Sequence, residues 1–451
     1  MQITLAELLD AREERARCQK RMIAEHGFPL ISFTMNIAGP TKNSPLIERA
    51  FAEGVRRINK IIGNYFVAER FESHTKCGPM LICSVRCDAL ELKSKLVKIE
   101  DTHPIGRLFD MDVITSSAEH MTRPTERGCI VCGASGRACA AGRLHKLADI
   151  LRITEKILSD YFSSLDGEFV ANLIWQSLLQ EVYTEPKPGL VDPVSRGSHN
   201  DMDVSTFECS ANALKPYFKD CVRLGFEYKN QSYGVFFPAL RELGILAEDT
   251  MLVATCGINT HKGTIFSMGI LAAAVGRLMR PDGYMPDIEL LLSEAANICR
   301  DGVESDFKKM NGATAGGRAF LELGERGIRG EAAEGFPSVR KIAIPVYTAE
   351  LAKGKSKNDA GVITLLHLIA NVFDTSIYNR GGKEGVFFSR SLASSIIASE
   401  EPNFDDIRTM DTEFIQKNLS PGGCADLLAI TYFLTEFEDR RKKQNNSSGK
   451  I

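Results

Sequence analysis

The segment HPIGRLFDMDVIT (103–115) sets Asp110 and Asp112 two positions apart within an apolar run. If RLFDMDVI is a strand, Phe109, Met111 and Val113 share one face and the two aspartates share the other. Two like charges on one open face repel, and a cation between them offsets that cost. Mg²⁺ takes carboxylate oxygens and substrate phosphates together. The pair could therefore hold the metal against a triphosphate and stabilise the attacking and departing oxygens of an in-line displacement. The simpler alternative is an exposed strand face carrying two solvated acids.

A second constellation follows in CIVCGASGRACAAGRLH, which reads Cys129-x₂-Cys132-x₆-Cys139-x₅-His145. Three thiols and an imidazole at this spacing could close a tetrahedral structural zinc site. A loop of small residues with incidental thiols is the alternative.

Further along, five segments crowd Gly or Pro beside charged and polar residues: 181–207, 256–263, 327–339, 373–382 and 418–429. Most lead directly into an apolar helical pattern. The first turn of a helix leaves N–H groups unpartnered and carries partial positive charge, so such mouths suit anions. In INTHKGTIF, Asn259 or Thr260 could cap the helix, with His261 and Lys262 adding donors at its mouth. In NLSPGGCADLL, Ser420 could cap, Pro421 suits the first helical position, and Gly422 and Gly423 leave backbone exposed. Arg380, in NRGG, has the planar fork that grips two phosphate oxygens. Simple helix capping accounts for any one of these loops without a ligand. Asp201 and Asp203 precede a helix whose Ser205-x-x-Glu208 reads as a capping box, so Asp203 is equally readable as a helix-start residue. His199, Asp374 and Asp426 are similarly ambiguous.

The elements that must position these residues divide the chain in two. PLISFTMNIAG (29–39) and MLICSVRC (80–87) suit strands, and SPLIERAFAEGVRRINKII (44–62) suits a helix with Ser44 as N-cap and Pro45 at its first position. HKLADILRITEKILSDYFSSL (145–165) reads as a second amphipathic helix, ending near SSLDGE (163–168). Beyond it come apolar helical segments near 211–224, 237–254, 264–279, 287–299, 362–373 and 424–437, with KIAIPVY (341–347) the doubtful, strand-like case. The expectation is an α+β domain over 1–165, a larger, mostly α-helical domain over 169–440, and a polar, disordered tail over 441–451.

Bulk properties agree with that class. A chain of 451 residues exceeds what one core usually serves, and 44% hydrophobic with 25% charged residues is ordinary for a globular protein. A net charge of −3 gives no broad reason to expect nucleic acid, and no apolar run reaches membrane-span length. The twelve cysteines are scattered and no signal-peptide pattern opens the chain, so reduced thiols and a cytoplasmic location are expected.

SFTMNIAGPTKNSPLIERAF, HPIGRLFDMDV and the CIVC…CAAGR…H segment resemble the apo-citrate lyase phosphoribosyl-dephospho-CoA transferases across most of 1–165. The resemblance implies a nucleotidyltransferase-type domain that moves a phosphoribosyl-dephospho-CoA arm from its triphosphate precursor to a serine of the lyase's acyl carrier protein (its gamma chain), releasing pyrophosphate. Asp110 and Asp112 would carry Mg²⁺, and Lys42 and Arg107 could contact phosphates. PKPGLVD, NTHKG, RGG and NLSPGG, in that order, resemble the triphosphoribosyl-dephospho-CoA synthase family across 169–440. That family joins ATP and 3′-dephospho-CoA into 2′-(5″-triphosphoribosyl)-3′-dephospho-CoA, releasing adenine. On this resemblance Asp201 and Asp203 are the Mg²⁺ candidates, and Lys187, His261, Lys262 and Arg380 the triphosphate or CoA-phosphate candidates. Asn259, Ser420, Gly422 and Gly423 complete the nucleotide-binding set, and His261 joins the acids among the catalytic candidates. Cys424 and Ser376 depart from the pattern, which has a small residue, often Ser, and Asn there. A non-catalytic assembly factor and an Mg²⁺-dependent nucleotide hydrolase are the competing readings.

Overall fold

A computed structural model of the chain describes residues 3–399 and 402–448. The chain divides into two compact units between Ser163 and Ser164, with the short segment Arg280–Tyr284 counted with the first.

The first unit contains α1 (Leu5–His26), β1 (Leu30–Met35), α2 (Pro45–Ile62), β2 (Phe66–Thr75), β3 (Gly78–Arg86), α3 (Ala89–Thr102), β4 (Phe109–Ile114) and α4 (Gly136–Ala141). The four strands form one antiparallel sheet in the order β2-β3-β1-β4. Its register sets Ile31, Phe33, Leu81, Cys83, Val85, Met111 and Val113 into a core with Phe51, Ile58, Leu92 and Leu96 of α2 and α3. Leu30, Ile82 and Ile114 point the other way, where Met22 of α1 covers them. Ser44 caps α2, accepting from the Ile47 N–H, and Pro45 opens the helix, as its sequence specifies.

β4 is an edge strand, and charged side chains satisfy its outward backbone groups. The Met111 N–H donates to Glu100 Oε1 (2.8 Å), Lys93 Nζ donates to the Met111 carbonyl (3.1 Å), and Arg127 donates to the Phe109 carbonyl (2.7 Å). An edge closed in this way has few free groups left for pairing with another strand.

The helix α5 (Leu147–Tyr183) carries the division between units within it, so the break expected at SSLDGE is helical. The composition shift there marks a change of core, and nothing in SSLDGE forbids helix except one glycine, whose cost is about 1 kcal/mol.

The second unit continues with α6 (Val204–Glu227), α7 (Tyr233–Ala254), α8 (Lys262–Leu278), α9 (Ile288–Lys308), α10 (Ala315–Leu323) and α11 (Gly327–Ala333). It closes with α12 (Ile344–Ala352), α13 (Lys357–Asn371), α14 (Thr375–Ile397), α15 (Phe404–Gln416) and α16 (Gly422–Ser448). α8 lies at its centre: Met268 and the run from Leu271 through Val275 are fully buried. Small residues let neighbours approach α8 closely; a Cβ at Gly276 would lie 2.0 Å from the Val222 carbonyl oxygen of α6. Each fully buried Leu, Ile or Phe in such a core contributes roughly 1.5–3 kcal/mol.

Two sequence expectations are corrected here. KIAIPVY is helical, forming a π-turn over Val339–Ala343 and the start of α12, because the all-helical core offers its β-branched residues no strand partner. The polar tail expected to be disordered is helical through Ser448. Arg440–Glu436 and Arg441–Glu438 pairs at helical spacing extend α16 past its buried part; residues 449–451 lie outside the described residues. No single helix among the described residues is long and apolar enough to cross a membrane, although α13 and α14 together pass that test across a 55° bend.

Candidate active sites

In the first unit, β4 pairs with β1 so that Thr34 faces Asp110 and Ser32 faces Asp112. The alternation read from the sequence is present: Phe109, Met111 and Val113 are buried, and both aspartates lie on the opposite, α1-covered face. Their surroundings differ. Asp110 lines a cavity of about 230 Å³ together with Arg12, Arg15, Asn36 and Lys42. Burial, then the charge of Asp112, push its carboxyl above the usual range. Among the described residues no ion pair or hydrogen bond holds the Asp110 carboxylate. Asp112 lies 3.5 Å from the buried Lys93 ammonium and is absent from that cavity's walls. Lys42 donates to the Ile37 carbonyl, and its own burial, followed by Arg12, lowers its proton affinity. Arg107 is not brought to Asp110. It donates to the Gly128 carbonyl (2.9 Å from Nε) and lines a separate cavity of about 460 Å³ with Cys129, Cys139 and His145. Asn36 borders both cavities.

In the second unit, four of the five helix-mouth segments meet at one cavity of about 360 Å³. Its walls include Lys187, His199, Asp201, Asn259, His261, Lys262, Arg380, Ser420 and Gly422. The fifth segment, 327–339, lines an adjoining cavity of about 860 Å³ that shares Asn259, Lys262, Ser376 and Asp426 with the first, and Gly423 borders that second space.

The cations in this cavity are not equivalent. Lys187 is buried and bound to Glu181, 2.6 Å from its carboxylate and 2.8 Å from its carbonyl. Lys262 extends to Glu248 at 2.7 Å and is largely exposed. Arg380 donates to the Ser198 carbonyl (2.8 Å), to Asn418 Oδ1 (2.9 Å) and to His199 Nδ1 (3.2 Å). Among the described residues no carboxylate lies within ion-pair distance of it, so its charge is offered to the cavity.

The histidines are held neutral. His261 is buried, with Nδ1 2.7 Å from Ser210 Oγ, and burial plus the charge of Lys187 lower its pKa to about 4. For His199, burial and then Arg380 act in the same direction. Arg380 can only donate, so His199 Nδ1 accepts and Nε2–H donates to Ser420 Oγ at 2.9 Å.

Asp426 is the opposite case. It lies near the start of α16, just past the first turn, and accepts from Thr264 Oγ1, and burial raises its pKa to about 7. The charges of Glu181 and Asp374 add to that shift. Gly263 is what lets α8 open against it, since a Cβ there would lie 2.0 Å from Asp426 Oδ2.

Several local readings change with the tertiary structure. Asp203 is the N-cap of α6, its box partner is Thr206, and its second oxygen accepts from Arg196 at 3.1 Å. It is not part of the cavity wall, and Glu208 instead accepts from Tyr183. His261 occupies the N-cap position of α8 without capping it, while Asn259 Oδ1 accepts the Lys262 N–H at 3.3 Å and Thr260 turns to Ser210. Ser420 does not cap α16, and that helix starts one residue after Pro421. Its cap comes from fifty residues away: Asp374 caps α14 with one oxygen and accepts the Cys424 N–H (2.8 Å) with the other.

A family model described as "ATP:dephospho-CoA triphosphoribosyl transferase" (CitG) matches residues 167–445, and one described as "Apo-citrate lyase phosphoribosyl-dephospho-CoA transferase" (CitX) matches 3–161. Protein CitXG of Haemophilus influenzae is 32% identical, with 96% of each chain covered. The chain belongs to the CitXG family. Protein CitXG of Leuconostoc mesenteroides subsp. cremoris is 31% identical over 96% of this chain and 97% of its own. A 2-(5''-triphosphoribosyl)-3'-dephosphocoenzyme-A synthase of Escherichia fergusonii is 36% identical over 61% of this chain and 93% of its own. Both family descriptions are of transferases, and this chain is accordingly a transferase with two family domains. Local sequence does not single out Glu181, Ser210 and Thr264, which the fold brings to Lys187, His261 and Asp426. Only helical periodicity could have flagged them, since each lies on the buried stripe of its helix at a polar position.

Proposed function

We propose that the helical unit joins ATP to 3′-dephospho-CoA, releasing adenine. The first unit then transfers the phosphoribosyl-dephospho-CoA arm to a serine of the citrate lyase acyl carrier protein, releasing pyrophosphate. The observation that carries this reading is the convergence of helix mouths, Arg380 and Lys262 on one cavity, beside an acid whose pKa is about 7. That combination suits a substrate with many phosphates and a hydroxyl to be activated.

In the first step the C1–N bond to adenine breaks and a C1–O bond to the 2′-oxygen forms. Positive charge builds at C1, the hydroxyl proton needs an acceptor, and the departing adenine takes up one proton, so no net proton is released. Asp426 is the acceptor we assign, because a base works best with its pKa near the operating pH. Thr264 orients one of its oxygens. Arg380 and the α8 and α16 mouths hold phosphates, and Arg380 is kept in place by Ser198 and Asn418. Lys187 neutralises Glu181 and shapes the wall.

The donor sets fit Mg²⁺, which binds through one or two carboxylates plus phosphate oxygens. Asp201 would serve in the helical unit, where it is largely exposed and the neutral His199 lies 4.0 Å from its carboxylate. Asp110 would serve in the first unit with Asp112 behind it, since Lys93 compensates only the Asp112 side. When bound, the metal would supply charge neutralisation for the triphosphate. Lys42, Arg12 and Arg15 line the same cavity as Asp110 and would hold phosphate oxygens there.

The test is free adenine, followed by chromatography with ATP, Mg²⁺ and 3′-dephospho-CoA. Adenine that requires both substrates supports the reading. Phosphate without adenine replaces it with the hydrolase, and no turnover by folded protein replaces it with the assembly factor.

A further inference from the structure

The segment between β4 and α5, residues 115–146, is long and irregular apart from the short α4. Among its 32 residues only Cys139 is buried. Irregular stretches of this length inside a compact unit need something other than an apolar core to hold them. Its cysteines and histidine are gathered at one point. The Sγ atoms of Cys129, Cys132 and Cys139 and a ring nitrogen of His145 all lie within 4.8 Å of one another. Cys132 and Cys139 are free thiols with sulfurs 3.6 Å apart. Ligand atoms about 2.3 Å from a tetrahedral centre are separated by about 3.8 Å, so the cluster is close to a ready coordination shell.

Two further observations point to an ion. His145 Nε2 is buried and makes no hydrogen bond. An orphan ring nitrogen of this kind is costly unless it has a partner. The Cys129–Cys132 turn is also shaped for thiolates. Gly133, at φ +76°, reverses the chain, its N–H donates to the Cys129 carbonyl (2.9 Å), and the Val131 N–H points at Cys129 Sγ (3.4 Å). A side chain at position 133 would strain this turn.

We propose that Cys129, Cys132, Cys139 and His145 bind one structural Zn²⁺ that staples the segment between β4 and α5. Four protein ligands close the coordination sphere, which leaves no open position for substrate or water and makes the site structural. Three soft thiolates and an imidazole favour zinc over the hard ions suited to the carboxylates of β4. The site also fixes the backbone at Gly128, whose carbonyl accepts from Arg107.

The experiment is metal analysis of the full-length chain as isolated, followed by exchange with Co²⁺. About one zinc per chain is expected, with a tetrahedral Co²⁺ spectrum carrying thiolate charge-transfer bands. Cys132→Ser should lose most of the zinc, and Cys209→Ser, at an exposed cysteine on α6, should keep it. His145→Cys should retain zinc and strengthen the thiolate bands, which separates loss of a ligand from failure to fold. Chelation should speed proteolysis within 115–146 of the wild-type chain. Absence of zinc together with no Co²⁺ uptake would overturn the proposal, as would full zinc retention in Cys132→Ser. Iron with acid-labile sulfide would overturn it equally.

Discussion

The two units gather acids and cations around a cavity by different physics. In the first, a strand's period of two puts Asp110 and Asp112 on one face, and local sequence is enough to align them. In the second, the titratable groups come from α5, α14 and α16, from the mouth of α8 and from the loop before α6, up to about 250 residues apart in sequence. The consequence shows in their electrostatics. Asp112 lies beside Lys93, leaving Asp110 as the acid that faces a cavity. The helical cavity, enclosed by a large core, shifts His261 down to about 4 and Asp426 up to about 7. A strand face arranges charge, whereas a buried junction of helices also tunes it.

The comparison breaks most visibly at Asp426. Asp426→Asn should reduce adenine release about 10²–10⁴-fold, the range for a general base, while loading from supplied triphosphoribosyl-dephospho-CoA continues. Equal loss of both activities would mean the units are not separable. Next in size, Asp110→Asn should lower carrier loading about 10²-fold or more with adenine release intact. Asp112→Asn should cost clearly less, because Asp112 lies beside Lys93 outside the cavity; parity between the two variants would restore them as an equivalent pair. Arg380→Ala should raise the KM for ATP or dephospho-CoA roughly 10–100-fold, the equivalent of about 1.5–3 kcal/mol for hydrogen bonds to a charged group. An unchanged KM would remove Arg380 from the phosphate set.

The smallest effect concerns pH. Asp426 binds its proton more tightly folded than unfolded, so its contribution to stability is present below its ordinary pKa and lost as pH rises to about 7. His261 binds its proton less tightly when folded, so its contribution grows as pH rises from about 4 to 6.5. The two oppose one another across that window. Asp426→Asn should therefore tilt the Tm–pH curve upward relative to wild type by a few degrees, read by thermal melts. A curve parallel to wild type would mean that Asp426 titrates normally.

Much of this was legible in the residues. Periodicity and caps located β1, β3, β4, α2 and most of the later helices, and Gly- and Pro-rich polar loops before apolar runs marked the lining of the cavity. Capping was misread at α16 because its partner is distant: nothing local to Ser420 reveals that Asp374 caps that helix. At α6 the competing boxes are both local, and Asp203 with Thr206 takes the cap two residues ahead of Ser205 and Glu208.

The sequence by itself determined the strand face of Asp110 and Asp112, the spacing of the cysteine cluster and the change of texture after residue 165, because each depends on neighbours along the chain. Only the tertiary structure decided which lysine is already neutralised, which acid faces a cavity and which histidine is held uncharged. Those outcomes depend on burial and on charges brought together from distant segments. Glu181 meets Lys187, Thr264 meets Asp426 and His199 meets Arg380 only once the helices pack.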